Sequence, residues 1–288
     1  MQQYLDLCRK ALTQGIIKKN RTGVDHIGYQ GDMCQYDLAE GFPAVTTKKL
    51  AFKSVVAEML GFLRGYDNAA DFRALGCRVW DANANENKQW LANPNRKGMD
   101  DLGRIYGVQA RRWIYRKNEL DYYSSVHTLD QLKLVIEDIS NGKDNRREIV
   151  THWNPAELDQ MALPPCHMFY QFGIQGDRLN LGMYQRSCDL PLGVPFNIAQ
   201  YAWLLSVVAH ITGFKPGVFT HFLWDVHVYA NQVENLKIQL ERTPYLLPTL
   251  VINPSIKSLQ DLETWVTPAD FQLHGYQCHP HIQYPFAV

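Results

Sequence analysis

The longest apolar stretch of the chain, near residues 194–214, is the feature any fold must accommodate first. A helix hydrophobic on nearly all sides is stable only when other elements enclose it. Asn197, Gln200 and His210 interrupt the run, which argues for a buried helix over a membrane span. Strand patterns stand on both sides of it. HMFYQFGIQGDRLNLGMYQRS (167–187) reads as a hairpin turning at Gln175, Gly176 and Asp177, and GVFTHFLWDVHVY (217–229) as a further strand.

Other segments fill out the pattern. Residues 2–14 read as an opening amphipathic helix, and 26–38 alternates like a strand pair. FKSVVAEMLGFLRG (52–65) has helical apolar spacing, with Glu58 embedded in the apolar run. Residues 82–125 are polar and read as long surface loops. TLDQLKLVIEDISNG predicts a helix with Thr128 as N-cap and Gly142 as its stop. REIVTHWNP predicts a strand, and YANQVENLKIQLER a helix. No repeat, low-complexity segment or linker appears. The reading is one α+β domain over residues 1–288, a mixed sheet with flanking helices.

Composition excludes some partners. The 29 basic and 29 acidic residues give a net charge of +0, so long-range attraction to nucleic acid or anionic membrane is not expected. Any anion site must be local. MQQYLDLCRKALTQG lacks the apolar run and cleavage site of a signal peptide. The six cysteines (8, 34, 77, 166, 188 and 278) include no C-x-x-C pair. They read as reduced thiols of a cytoplasmic protein, with at most one chemically special.

MALPPCHMFYQF (161–172) places Cys166 beside His167. Neighbours on a strand point to opposite faces, so His167 is not expected to be the direct base of Cys166. As a nucleophile, metal ligand or core filler, Cys166 stays open on spacing alone. The one dense set of metal-type residues, CHPH (278–281) with His274, reads as solvent-exposed tail histidines, and no metal is expected. Arg21, Arg146, Arg147 and Arg186 each lie near a turn or strand end. They are either solvated or converge on one dianion, which guanidinium groups match bidentately.

ALPPCHMFYQF, YQRSCDLPLGVPFNIAQYA and DVHVYANQ together resemble the thymidylate synthase family. NRTG, GFPAVTTKKL, YGVQ, RREIV and WNPAEL do so too, in order along nearly the whole chain outside 84–101 and 115–128. The resemblance implies folate-dependent one-carbon transfer to C5 of dUMP, with 5,10-methylenetetrahydrofolate as co-substrate. It implies that Cys166 adds as thiolate to C6 of the base, with Arg186 near it. Arg21, Gln185, Arg186 and Ser187 match substrate contacts, mainly to phosphate. Arg146 and Arg147 match a pair donated by the partner subunit, implying a homodimer that pairs through its sheet and shares its sites. Glu58, Tyr106 and His167 match residues organising water and proton transfer. His227 and Tyr229 match contacts to the ribose 3′-hydroxyl. Trp80, Asp189 and Gly193 match the folate side, and Val288 the closing tail. Asn197 matches the base reader. A carboxamide can donate to O4 and accept from N3–H of uracil, whereas a carboxylate suits cytosine better.

Three departures stand out. The family's ELLWFL is EMLGFL here, its YGxQWR is YGVQARR, and its two small residues before Asp225 are Leu223 and Trp224. Bulk removed at Gly61 and Ala110 and added at Trp224 suggests either repacking or a remodelled folate side. The second reading is favoured. It makes the chain a phage-type dUMP hydroxymethylase, in which water attacks the C5 methylene intermediate. The alternatives are thymidylate synthase, giving dTMP and dihydrofolate, and a non-catalytic nucleotide- or RNA-binding relative.

Overall fold

The computed structural model describes residues 1–20, 23–118 and 124–285. Helix α1 (Gln2–Gln14) buries Tyr4, Leu5, Leu7, Cys8 and Ala11, the stripe its spacing predicts. Strand β1 (Ile16–Lys18) leads to β2 (His26–Asp37). The 26–38 segment is thus one twelve-residue strand, not a strand pair. Gly31 sits inside it at φ 80°, a conformation most side chains resist, and the register against β8 is the same on either side.

Helices α2 (Phe52–Leu63) and α3 (Ala69–Ala74) follow. The region read as surface loops holds α4 (Asp81–Asn85), α5 (Lys88–Leu91), α6 (Tyr106–Arg111) and a hairpin of β3 (Trp113–Asn118) with β4 (Ser124–Leu129). Helices of four to six residues are too short to show a period and are held by tertiary contacts. Asn87 caps α5, the buried Trp90 donates Nε1–H to the Asp101 carbonyl (2.6 Å), and Arg73 bridges Asp81 and Asp100. Helix α7 (Gln131–Ser140) is capped by Asp130, whose carboxylate accepts from Lys133 N at 3.0 Å. Thr128, the expected cap, lies in β4. Gly142 at φ 67° ends the turn that follows α7, as expected.

The remaining elements are β5 (Ile149–Thr151), β6 (His167–Gln175), β7 (Arg178–Asp189), α8 (Gly193–Thr212), β8 (Lys215–Tyr229), α9 (Val233–Leu240), β9 (Thr249–Ile252), α10 (Leu259–Thr264) and β10 (Phe271–His274). The main sheet runs β1-β2-β8-β7-β6-β5, antiparallel except for β7 with β8. That parallel pair requires a crossover, and α8 supplies it. Helix α8 is long and apolar enough to cross a membrane by composition, but it lies buried against β7, β8, α2 and α7. Pro195 sits in its first turn, where a missing N–H costs nothing.

The sheet has two unlike faces. Leu223, His221 and Phe219 of β8 point into the core under α8. Phe222 and Trp224, with Met33, Phe169 and Ile149 on neighbouring strands, leave an apolar opposite face exposed. Near the C-terminus, His279 docks by donating its backbone N–H to the Thr46 carbonyl (2.8 Å), while His274 and His281 are exposed. The expectation of solvated tail histidines holds for those two alone. Among the described residues, no three His, Cys, Asp or Glu side chains are grouped to hold a metal.

Candidate active site

Cys166 sits just before β6, in a loop gripped from two sides. Its backbone N–H donates to the Tyr106 hydroxyl at 2.7 Å, and its carbonyl accepts from Arg186 N at 2.8 Å. The Arg186 guanidinium donates to the carbonyls of Pro165 (2.8 Å) and Pro164 (3.0 Å) and lies over the Trp153 ring. The two prolines matter because they expose carbonyls without donors of their own. Arg186 therefore fixes the backbone on which Cys166 rides and places a permanent positive charge beside it. His167 turns away, with Nδ1 at 2.8 Å from the Tyr201 hydroxyl and its ring against Tyr106. Burial holds His167 well below its ordinary range, so it is neutral.

Behind the cysteine loop runs a continuous hydrogen-bonded chain. His221 is pushed down to about 3 by burial and is neutral. Its Nε2–H donates to Gln185 Oε1 (2.8 Å), Gln185 Nε2 donates to Asn197 Oδ1 (2.9 Å), and Asn197 Nδ2 donates to Gln200 Oε1 (3.0 Å). Gln200 Nε2 then donates to Glu58 Oε2 at 2.5 Å, and Trp80 Nε1 donates to Glu58 Oε1 at 2.8 Å. Every donor points the same way, toward the carboxylate, so the bonds polarise one another. The chain also fixes which end of the Asn197 amide faces which neighbour. Each amide atom keeps a second bonding capacity for a ligand. Burial raises the Glu58 carboxyl to about 7, opposed by the Trp80 and Gln200 bonds. A group poised there can take or give a proton at neutral pH.

Sequence reasoning singled out Glu58, Trp80 and Asn197 but gave no role to Gln200 or His221. The available signal was a polar residue three positions past Asn197 on an apolar helix, which puts both on one face.

A second cluster lies at the β2–β8 end. His227 Nδ1 donates to Asp225 Oδ1 at 2.8 Å, and Tyr229 lies two residues on, edge-to-face with the His227 ring. Ser187 and Asp189 of β7 stand opposite Asp225 and His227 in register. Asp189 is partly buried and its carboxyl raised by desolvation; it accepts from Leu192 N and, at 3.4 Å, from Gln232. Gly193 opens α8 beside it, close to Asn197.

Cys166, Tyr106, Arg186, Gln185, Asn197, Glu58, Trp80 and His167 are thus linked by contacts, and Ser187, Asp189, Gly193, His227 and Tyr229 line the adjoining strands. Arg146 and Arg147 do not join them. They are exposed before β5, where the Arg146 carbonyl accepts from Gln171 Nε2, five residues along β6 from Cys166. At ~3.3 Å per residue that is roughly 16 Å. Arg21 and Val288 lie outside the described residues.

The altered bulk does not build a new cavity beside Glu58. A Cβ at Gly61 would fall 2.3 Å from Phe72 Cε1, so the Phe72 ring already fills that space. Ala110 borders a void of about 10 Å³ walled by Met59, Phe62, Leu63, Leu132, His152, Tyr170 and Tyr201, and by neither Glu58 nor Trp80. Leu223 is buried in the core, and Trp224 points from the opposite face of β8, over Gly31. Gly61 is thus filled by the Phe72 ring, which lies 6.1 Å from the Trp80 ring, Ala110 borders a small void, and the indole is on the far side of the sheet, so of these positions Gly61 alone adjoins a residue read as folate-side.

Comparison with known proteins agrees with this geometry. The family model described as thymidylate synthase matches residues 2–288. Proteins named thymidylate synthase from Idiomarina loihiensis, Psychromonas ingrahamii and Haemophilus influenzae are 50%, 49% and 48% identical, each over the full length of both chains. None carries a hydroxymethylase name, so the earlier preference for that type has no support among them. The linked cysteine, arginine and amide residues and the full-length match lead to one conclusion: the chain belongs to the thymidylate synthase family of enzymes.

Proposed function

We propose that this enzyme is a thymidylate synthase, methylating dUMP at C5 with 5,10-methylenetetrahydrofolate and releasing dTMP and dihydrofolate. The observation that carries the reading is the unidirectional chain from His221 to Glu58 through Asn197, set beside the arginine-braced Cys166. In this reading the Cys166 thiolate adds to C6 of uracil, and C5 attacks the folate methylene. Asn197 accepts from N3–H and donates to O4. Glu58, near neutrality, positions water and moves protons at the pyrimidine. Loss of the C5 proton expels the tetrahydrofolate amine and leaves a C5 methylene; hydride from that tetrahydrofolate then reduces the methylene to methyl as the Cys166–C6 bond breaks, releasing dTMP, dihydrofolate and the free Cys166 thiolate. The full-length relatives bearing the synthase name support this branch over water attack.

The phosphate is held by Arg21, Arg186 and Ser187, completed by Arg146 and Arg147 from a second copy. Support for sharing comes from geometry: these two arginines lie far along β6 from their own Cys166, and the sheet exposes an apolar face that a second copy can cover.

Incubation with 5-fluoro-dUMP and methylenetetrahydrofolate tests the reading, because fluorine at C5 arrests the reaction after folate addition. A covalent ternary adduct on the Cys166 peptide is expected. No adduct, under conditions where dUMP binds, rejects covalent catalysis.

A further inference from the structure

Beside His227 lies a second imidazole whose role nothing above assigns. His26, first residue of β2, is 8% exposed and faces Tyr229 in register; its ring centroid is 5.1 Å from that of His227. The Tyr229 ring packs edge-on against both histidines.

Hydrogen bonding fixes the proton on each ring. Asn20 Nδ2 donates to the Val24 carbonyl at 2.9 Å, which sets the amide with its NH₂ inward. The same Nδ2 lies 2.8 Å from His26 Nδ1. That nitrogen must accept, so the neutral ring carries its proton on Nε2. His26 Nε2 is buried and has no hydrogen-bond partner among the described residues. A donor left unsatisfied in that way is costly unless a ligand completes it. His227 is set the opposite way. Its Nδ1–H is given to Asp225, whose carboxyl is held low by that bond, so its Nε2 accepts. Burial and the neighbouring His227 hold His26 below its ordinary range, which keeps it neutral near pH 7.

One Nε2 donor beside one Nε2 acceptor, with ring centroids 5.1 Å apart, is complementary to a single hydroxyl group, which both donates and accepts. We infer that His26 is a substrate-binding residue: its Nε2–H donates to the 3′-hydroxyl oxygen of the deoxyribose while that hydroxyl donates to His227 Nε2. The inference rests on the nucleotide reading proposed above and adds to it a residue that selects for a free 3′-hydroxyl. The Asn20 amide is the positioning residue, because it dictates the His26 tautomer.

Calorimetry with dUMP and with its 2′,3′-dideoxy analogue tests this in wild type, His26→Phe and His26→Gln. Wild type is expected to prefer dUMP. His26→Phe, which keeps ring packing, should lose about tenfold of that preference by weakening dUMP alone, with the dideoxy affinity within twofold of wild type. His26→Gln, which retains an N–H donor, should recover much of the preference. Equal weakening of both nucleotides by His26→Phe, or an unchanged preference, overturns the inference and leaves His26 a packing residue. Failure of wild type to bind dUMP overturns the nucleotide reading itself. Should His26→Phe not fold, imidazole ¹⁵N spectra of wild type decide: the His26 Nε2–H signal should shift with dUMP and not with the dideoxy analogue, and an equal response to both contradicts the contact.

Discussion

Glu58 and Gly61 are three residues apart on α2, yet they belong to different kinds of structure. Glu58 ends a directed chain of hydrogen bonds that passes through Gln200, Asn197 and Gln185 to His221. Gly61 is a steric position whose only demand is that the Phe72 ring fit against it. Ala110 and Trp224 resemble Gly61: one borders a small void, the other lies on the exposed face of β8. Lost bulk in a core can be absorbed by a neighbour. A lost member of a buried polar chain leaves its neighbours unsatisfied. Proximity in sequence to active-site motifs is thus a poor guide to whether a substitution alters chemistry.

The largest expected contrast is at Cys166. Cys166→Ser should abolish turnover while leaving dUMP affinity within about tenfold, because the arginines supply most of the binding. Single-turnover assays beside calorimetry check this, and appreciable residual turnover would remove Cys166 from the chemistry.

Glu58 gives the next effect, visible in stability as well as rate. Burial raises its carboxyl from 4.5 to about 7. Between those values the folded protein keeps a proton that the unfolded chain releases. The folded state is therefore relatively favoured below about pH 4.5, and that contribution is lost as pH rises through 7. At about 1.4 kcal/mol per unit, the loss amounts to roughly 3 kcal/mol. Glu58→Gln should flatten this slope in denaturant melts across pH 5 to 8 and lower kcat by about 10² or more. A variant whose stability–pH profile superimposes on wild type would show that folding does not raise the Glu58 carboxyl.

At Gly61 the effect should be confined to stability. Ala is a better helix former by about 1 kcal/mol, but its methyl would collide with Phe72. Gly61→Ala is expected to cost about 1–3 kcal/mol net and to leave product identity unchanged. Phe72→Leu in the same chain should recover part of the cost in a double-mutant cycle. A stabilised Gly61→Ala would mean the ring does not fill that space.

Trp224 should matter least to the folded chain and only to its assembly. Trp224→Ser should weaken self-association about tenfold by analytical ultracentrifugation, with kcat per dimer unchanged. Altered product ratios in this variant would break the distinction between the two classes of position.

The legible parts of the sequence were those with long periods. Helix α8, the β6–β7 hairpin and β8 each span enough residues for alternation or all-round apolarity to show. They carry or flank Cys166, Gln185, Arg186, Asn197 and His227, so much of the candidate site came with them. Short elements were hidden. Helices α4, α5 and α6 hold four to six residues each, and tertiary contacts such as that of Trp90 with Asp101, not pattern, define them. Gly31 inside β2 and Asp130 before α7 show the same limit at element boundaries, where one backbone angle or one cap decides. Bulk changes were visible as letters, but their consequence depended on Phe72, which lies eleven residues from Gly61, and on which face of β8 holds Trp224. His26 and His221 were invisible because their meaning lies in which ring nitrogen has a partner.

In the synthase reading the altered bulk leaves the fate of the C5 methylene unchanged. Product analysis in ¹⁸O-labelled water with dUMP and methylenetetrahydrofolate tests it directly. Stoichiometric dihydrofolate, followed by its absorbance, together with unlabelled dTMP by mass spectrometry is the predicted result. Labelled 5-hydroxymethyl-dUMP with release of tetrahydrofolate would contradict it and would show that water reaches the intermediate despite Phe72.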